Sequence, residues 1–231
     1  ETELVTLTRA GELAKFDLST QMVVELSSLA GFMAREYALR AGETPAVGQA
    51  LFEMEQPRTT SDDLPRSTPG MVLALADRFD LLASLFAIGA KPSGSSDQFG
   101  LRRAALGIIR ILRNLGDLQG EAPTLTLSSG LGAAVSRLRE QGVDAPWEVA
   151  DHAHKFVLGR FAQLVKEERR GIDYFSTVAP VADSPWYASS LLRELEALQH
   201  SESLRRLVEA LVRIDRILPD DVVPWLPPGL V

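Results

Sequence analysis

Apolar residues recur along this chain at helical intervals, punctuated by prolines, glycines and short polar stretches. The densest pattern runs from Met71 to Asn114. It predicts two long apolar helices joined by the loop Gly89-Ala90-Lys91-Pro92-Ser93-Gly94-Ser95-Ser96-Asp97. Thr68 and Pro69 stand where a cap and a first-turn proline belong, and Gly89 where a helix stops. Asp97 is placed to cap the second helix, which ends near Gly116. A helix apolar on most of its circumference is a buried one, so the polar residues inside the first, Asp77, Arg78 and Asp80, need partners or water. Asp77 and Asp80 are three apart and share a face, which is either a polar seam or a site.

Upstream, Leu4, Leu7, Leu13 and Phe16 trace a helical face weakened by Gly11. Asp17 to Thr20 offers a turn, Met22 to Leu39 one or two helices stopped near Gly42, and Thr44-Pro45 the start of another through Met54. Pro57 to Pro69 reads as a polar loop. Downstream, Gly120, Pro123 and the alternation Thr124-Leu125-Thr126-Leu127 interrupt the helical pattern, and the alternation is too brief to build a sheet. A domain boundary is placed there, between 118 and 119. Four more helices follow: Ser129 to Gln141, Trp147 to Arg170, one opened by Ser184-Pro185, and one from Ser201 halted by Pro219. The expected fold is all-α, a helical domain over 1–118 and a smaller helical domain over 119–231.

The 231 residues suffice for a real core, and 45% hydrophobic with 24% charged residues describes a folded protein rather than a disordered one. No apolar run is long and uncharged enough to span a bilayer, since Asp77, Arg78 and Asp80 interrupt the best candidate. The chain has no cysteine, which excludes disulfides and thiolate chemistry and fits a reducing cytoplasm. It opens at Glu1 without an initiator Met or a leader, and reads as a piece of a longer polypeptide. A net charge of -7 has the wrong sign for a protein that wraps nucleic acid, so any RNA contact must use local arginine clusters or come mainly from other parts of the longer polypeptide.

Those arginines are Arg102, Arg103, Arg110 and Arg113. Arg103 and Arg110 lie seven apart and Arg102 and Arg113 eleven apart, so each pair returns to a similar side of the predicted helix. Such a strip binds phosphates by charge and bidentate hydrogen bonds; alternatively it is a solvated face, or it neutralises Asp77 and Asp80. His152 and His154, two apart on a helix, point to different faces and make a poor metal site. His200 sits near a helix end, where the helix dipole alone favours it. No Ser-His-Asp arrangement is suggested. The loop with Lys91, Ser93, Gly94, Ser95 and Ser96 lacks the Gly-Lys-Ser/Thr ending of a nucleotide-binding loop.

The run Leu75-Ala76-Asp77-Arg78-Phe79-Asp80, then Phe86, Gly89, Pro92-Ser93-Gly94-Ser95, Asp97, Phe99, Leu101 through Gly107 and Arg110, closely resembles the HD-like region of the β subunit of bacterial glycyl-tRNA synthetase. The likeness continues upstream through Lys15, Asp17, Gly31, Tyr37, Gly42, Glu53, Pro57-Arg58 and Asp63-Leu64-Pro65, and more weakly from Ile172 to Ile217, toward the family's anticodon-binding region. It marks Lys15, Asp17, Asp77, Asp80 and Asp97 as family-motif polar residues, and the Lys91 loop as a contact with RNA or a partner. Two positions depart from the family: Met54-Glu55 stands where a His-Tyr pair is usual, and Gln98 where Pro is usual. The first leaves no histidine in the first domain. HD-type metal chemistry needs converging imidazoles and carboxylates, so a metal-dependent phosphohydrolase is the disfavoured alternative, and a purely structural scaffold is another.

The resemblance implies a parent enzyme that joins glycine to its tRNA with ATP and magnesium on an α subunit or a fused α-like region. That parent would be a cytoplasmic heterotetramer or a dimer of fused chains. This chain would position tRNA, with no catalytic residue, no metal ligand and no cofactor of its own.

Overall fold

The computed structural model describes residues 2–90, 97, 99–119, 123–168, 174–198 and 200–217. All regular structure among them is helical, as expected. In order these are α1 (Thr2–Glu12), α2 (Gln21–Glu25), α3 (Phe32–Arg40), α4 (Pro45–Met54), α5 (Thr68–Ala87) and α6 (Leu101–Gln119). Then come α7 (Leu127–Glu140), α8 (Glu148–Glu168), α9 (Phe175–Val178), α10 (Pro185–Leu198) and α11 (Glu202–Asp215). Short 3-10 turns at Phe16–Ser19, Ser27–Leu29 and Ala179–Val181 make the tight connections. None of the described helices is long and apolar enough to cross a membrane.

Helix α5 is the hub, in contact with α1, α4, α6, α7 and α8. One core cluster joins Ala10 of α1, Ala34 and Ala38 of α3, and Val47, Ala50, Leu51 and Met54 of α4 to Leu73 of α5. Leu7, Leu13 and Phe16 pack against it, while Leu4, expected on the same face, is exposed. A second cluster joins Ala83 of α5 to Val135 and Leu138 of α7 and to Ala145 and Val149. Helix α6 buries Ile108, Ile109, Ile111 and Leu112 almost completely. The close approach of these helices depends on small residues. A Cβ at Gly130 would lie 2.4 Å from the Phe79 ring, and one at Gly116 2.3 Å from Trp186 Nε1.

Two capping expectations shift by a residue or more. Ser67, one before Thr68, caps α5 by accepting from Gly70 N at 3.1 Å. The alternation Thr124 to Leu127 is no strand: Thr126 caps α7 in a capping box with Ser129, and the helix begins at Leu127. Thr44, Ser184 and Ser201 cap as expected, accepting from Val47, Tyr187 and Leu204.

The chain divides into two compact units, Glu1–Ser189 and Ser190–Val231. The boundary expected between 118 and 119 falls inside the first, because α7 and α8 pack on α5 and α8 also packs on α6. In the second unit α11 carries exposed Leu207, Leu211 and Ile214, with Arg205 and Arg206 paired to Glu202. The expected stop at Pro219 and Ile172, where the weaker likeness begins, lie outside the described residues.

Candidate nucleic-acid interface

The last turn of α4 and the middle of α5 are tied by one buried cation. Arg78 is 7% exposed. Its Nη1 donates to Met54 O at 2.9 Å and Ala74 O at 2.8 Å, and its Nη2 to Glu55 O at 3.2 Å and Pro57 O at 3.1 Å. Three of these carbonyls, of Met54, Glu55 and Pro57, lie at and just beyond the end of α4, where carbonyls lack helical partners and favour a positive charge. Burial pushes the Arg78 guanidinium below its usual pKa, opposed by the nearby carboxylates of Asp77 and Glu55. Gly107 of α6 makes the space, since a Cβ there would lie 2.3 Å from Arg78 Nε. Arg78 is thus a structural pin that also lines a pocket.

Glu53, next to Met54 in the last turn of α4, does the converse work at the start of α5. It is 2% exposed, accepts from Ser67 N at 3.0 Å and from the Ser67 hydroxyl, and receives Gln49 Nε2 at 2.9 Å. A carboxylate there complements the positive end of the α5 dipole. Gly70 is required beside it, because a Cβ would lie 2.2 Å from Glu53 Oε2.

The motif carboxylates do not converge. Asp77 pairs with Lys15, and Asp17 is buried and accepts from Gly31 N at 2.8 Å, where Gly31 holds φ +71°. Asp80 is exposed and borders a separate apolar groove of about 440 Å³ between α5 and α7, floored by Leu75, Phe79 and Gly130. Asp97 caps α6 as expected, accepting from Arg102 N at 3.0 Å and Arg103 N at 3.1 Å. Among the described residues no group of three or more His, Cys, Asp or Glu side chains is arranged to hold a metal ion. His154 instead joins α8 to Asp183 at 2.8 Å, and Asp183 receives Ser128 N at 2.9 Å and Ser128 Oγ at 2.6 Å at the start of α7. His152 and His200 are exposed.

The four arginines of α6 meet different fates. Arg103 has a side chain 67% exposed, with Asp97 3.5 Å away. Arg102, partly buried, lies beside it. Arg110 donates to Thr59 O at 2.6 Å and Asp62 O at 2.8 Å, and burial pushes its pKa down against the pull of Asp62. Arg113 makes a two-pronged pair with Glu168, at 2.7 Å and 3.0 Å, and donates to Ser189 Oγ at 2.9 Å. Lys91 lies outside the described residues.

Where Arg103 emerges, the N-terminal turn of α6, the Asp77 to Leu81 stretch of α5 and the turn after α4 enclose a polar pocket of about 530 Å³. Ser27, Ser28, Glu55, Arg58, Phe99 and Arg103 contribute to its walls. Arg58 is held there by donating to Ser28 O at 2.7 Å and to Ala30 O. Four cations in and around it, Lys15, Arg58, Arg78 and Arg103, face three carboxylates, Glu55, Asp77 and Asp97. The balance is locally positive on an acidic chain. Glu53, Arg58 and Asp183 were not legible as site builders. Ser67, Ser28 and Ser128, which they bind, lie 14, 30 and 55 residues away from them in the chain.

The family model described as glycyl-tRNA synthetase beta subunit matches residues 1–180. The glycine–tRNA ligase beta subunit of Persephonella marina is 32% identical over 222 residues, 93% of this chain and 32% of that protein. Its counterpart in Shigella boydii is 37% identical over 228 residues, 93% of this chain and 31% of that protein. In Lactiplantibacillus plantarum the likeness rises to 52% over 116 residues, 50% of this chain and 17% of that protein. The chain spans a third or less of the length of these relatives.

Proposed function

The chain belongs to the glycyl-tRNA synthetase β-subunit family, and from that premise we propose that it is the part of a glycine–tRNA ligase that holds tRNA while ligation proceeds elsewhere. The observation that carries this reading is the exposed Arg103 end of α6, opening on a locally positive pocket in a chain of net charge -7. An exposed arginine gives phosphates charge and a planar pair of donors without reading sequence. Arg102 and Arg103 are the contacts we assign, with Lys91 in the adjoining loop. Arg110 and Arg113 hold the helix in place for them.

In this reading ATP, magnesium and the glycyl-adenylate belong to an α subunit or a fused α-like region. The assembly is a heterotetramer or a dimer of fused chains at work in the cytoplasm. No step of the ligation passes through the residues described here. The chain's contribution is binding energy and placement, which lower the entropic cost of bringing the tRNA end to the adenylate.

The test is titration of the chain with glycine tRNA and with an unrelated tRNA across a salt series. Phosphate contacts release counterions, so the logarithm of affinity is expected to fall linearly with the logarithm of salt. Binding to neither tRNA at low salt would overturn the reading and leave a helical brace between other parts of the enzyme.

A further inference from the structure

The pocket beside Arg103 carries more chemistry than a phosphate contact needs. Phe99, at its rim, is 56% exposed and has no ring partner among the described aromatic pairs. A large aromatic side chain left in solvent beside exposed arginine is how proteins seat a nucleic-acid base, because every base presents a π-face for stacking. The same lining includes acceptors and hydroxyls in Glu55, Ser27 and Ser28, and Asp77 paired with Lys15. Carboxylates there disfavour a bare polyphosphate but accept hydrogen bonds from ribose hydroxyls and from exocyclic amino groups of bases. A volume of about 530 Å³ exceeds what a lone anion would fill.

We propose that this pocket seats one unpaired nucleotide of RNA, its base stacked on Phe99, its phosphate toward Arg103, and its sugar and base edge toward Ser27, Ser28 and Glu55. The proposal deepens the tRNA reading and rests on it for the biological source of the nucleotide. Double-stranded RNA is excluded from the seat, because a base held in a duplex has no free face for Phe99. Gly100 helps to shape the entrance: it holds φ +73°, and a Cβ there would lie 3.3 Å from the Arg103 guanidinium.

The test uses the chain with three RNAs: a single-stranded tetranucleotide of mixed sequence, a blunt RNA duplex and glycine tRNA. Each is titrated against the parent chain, Phe99→Ala and Phe99→Trp. Phe99→Ala is expected to weaken tetranucleotide binding about tenfold, within the range found for removing a stacking partner, and to leave duplex binding unchanged. Phe99→Trp is expected to retain binding, with quenching of the added indole that the parent's own tryptophans do not show. Since Phe99 is mostly solvent-facing, the variants should unfold at the parent's denaturant midpoint.

Equal tetranucleotide affinity in the parent and Phe99→Ala, or no tetranucleotide binding at all, would overturn the seat. Retained affinity for glycine tRNA would then leave the broader reading in place. Phe99-dependent tetranucleotide binding without tRNA binding would uphold the seat and remove the tRNA reading instead.

Discussion

At the N-terminal end of α6 the Arg103 side chain is 67% exposed, 3.5 Å from Asp97; three turns later the Arg113 side chain is 19% exposed and grips Glu168 with both prongs. The two lie on one helix and share one side-chain chemistry. What separates them is what the rest of the chain brings up against them. The end of α8 and Ser189 enclose Arg113, and the Thr59 to Asp62 turn encloses Arg110, whereas an open pocket lies beside Arg103. A guanidinium already satisfied by protein must give up those bonds before it can bind a phosphate. The exposed one gives up only water and a long contact. A helical repeat of arginines therefore marks a face without saying which members of it are free.

The extreme case is Arg78, only 7% exposed and held by backbone carbonyls alone. Arg78→Leu takes the guanidinium from the carbonyls of Met54, Glu55 and Pro57 and is expected to cost about 3 kcal/mol or more in urea unfolding. A cost below about 1 kcal/mol would break the view of Arg78 as a pin. Gly107→Ala drives a Cβ into the same guanidinium and is expected to destabilise by about 1–3 kcal/mol, and by much less in an Arg78→Leu background.

Arg113→Ala comes next, at about 1 kcal/mol, because the Glu168 pair is partly exposed while the Ser189 bond is better sheltered. Arg113→Lys should recover only part of that loss, since an ammonium cannot span both carboxylate oxygens.

The smallest effect is visible only against pH. Burial works to raise the pKa of Asp183, but hydrogen bonds from Ser128, Thr126 and His154 outweigh it and hold the carboxyl below its usual 3.8. A depressed folded pKa contributes stability that is present above the unfolded value and lost as pH falls through the folded one. Asp183→Asn should therefore be less stable than the parent at neutral pH, and the gap should narrow as the pH drops below about 4. A gap that stays constant from pH 7 to pH 3 would show that the carboxylate charge is not what anchors the start of α7.

How much of this was legible in the sequence follows from the range of the interactions. The hairpin of α5 and α6, the caps at Thr44 and Asp97 and the stop at Gly89 rest on contacts within a few residues, and the sequence displays these openly. The α5 cap was misplaced by one residue because Ser67 and Thr68 are chemically equivalent; the choice is made by Glu53, 14 residues back. The partners of Arg78 could not be read, since main-chain carbonyls 21 to 24 residues away leave no trace in side-chain identity. The domain boundary was placed at a change of local pattern, Gly120 to Leu127, whereas the packing of α7 on α5 depends on Ala83, Val135 and Leu138. Asp77 and Asp80 share a helical face, yet the turn after α1 pairs one with Lys15 and α7 borders the groove beside the other.

The most direct test of the account compares Arg103→Glu with Arg113→Ala in two assays, urea unfolding and binding of glycine tRNA at low salt. Arg103→Glu is expected to unfold like the parent but to bind tRNA more weakly, with a shallower dependence on salt. Arg113→Ala is expected to be destabilised while its folded form binds tRNA as the parent does. The contradicting result is the reverse: full tRNA affinity in Arg103→Glu and lost affinity in folded Arg113→Ala.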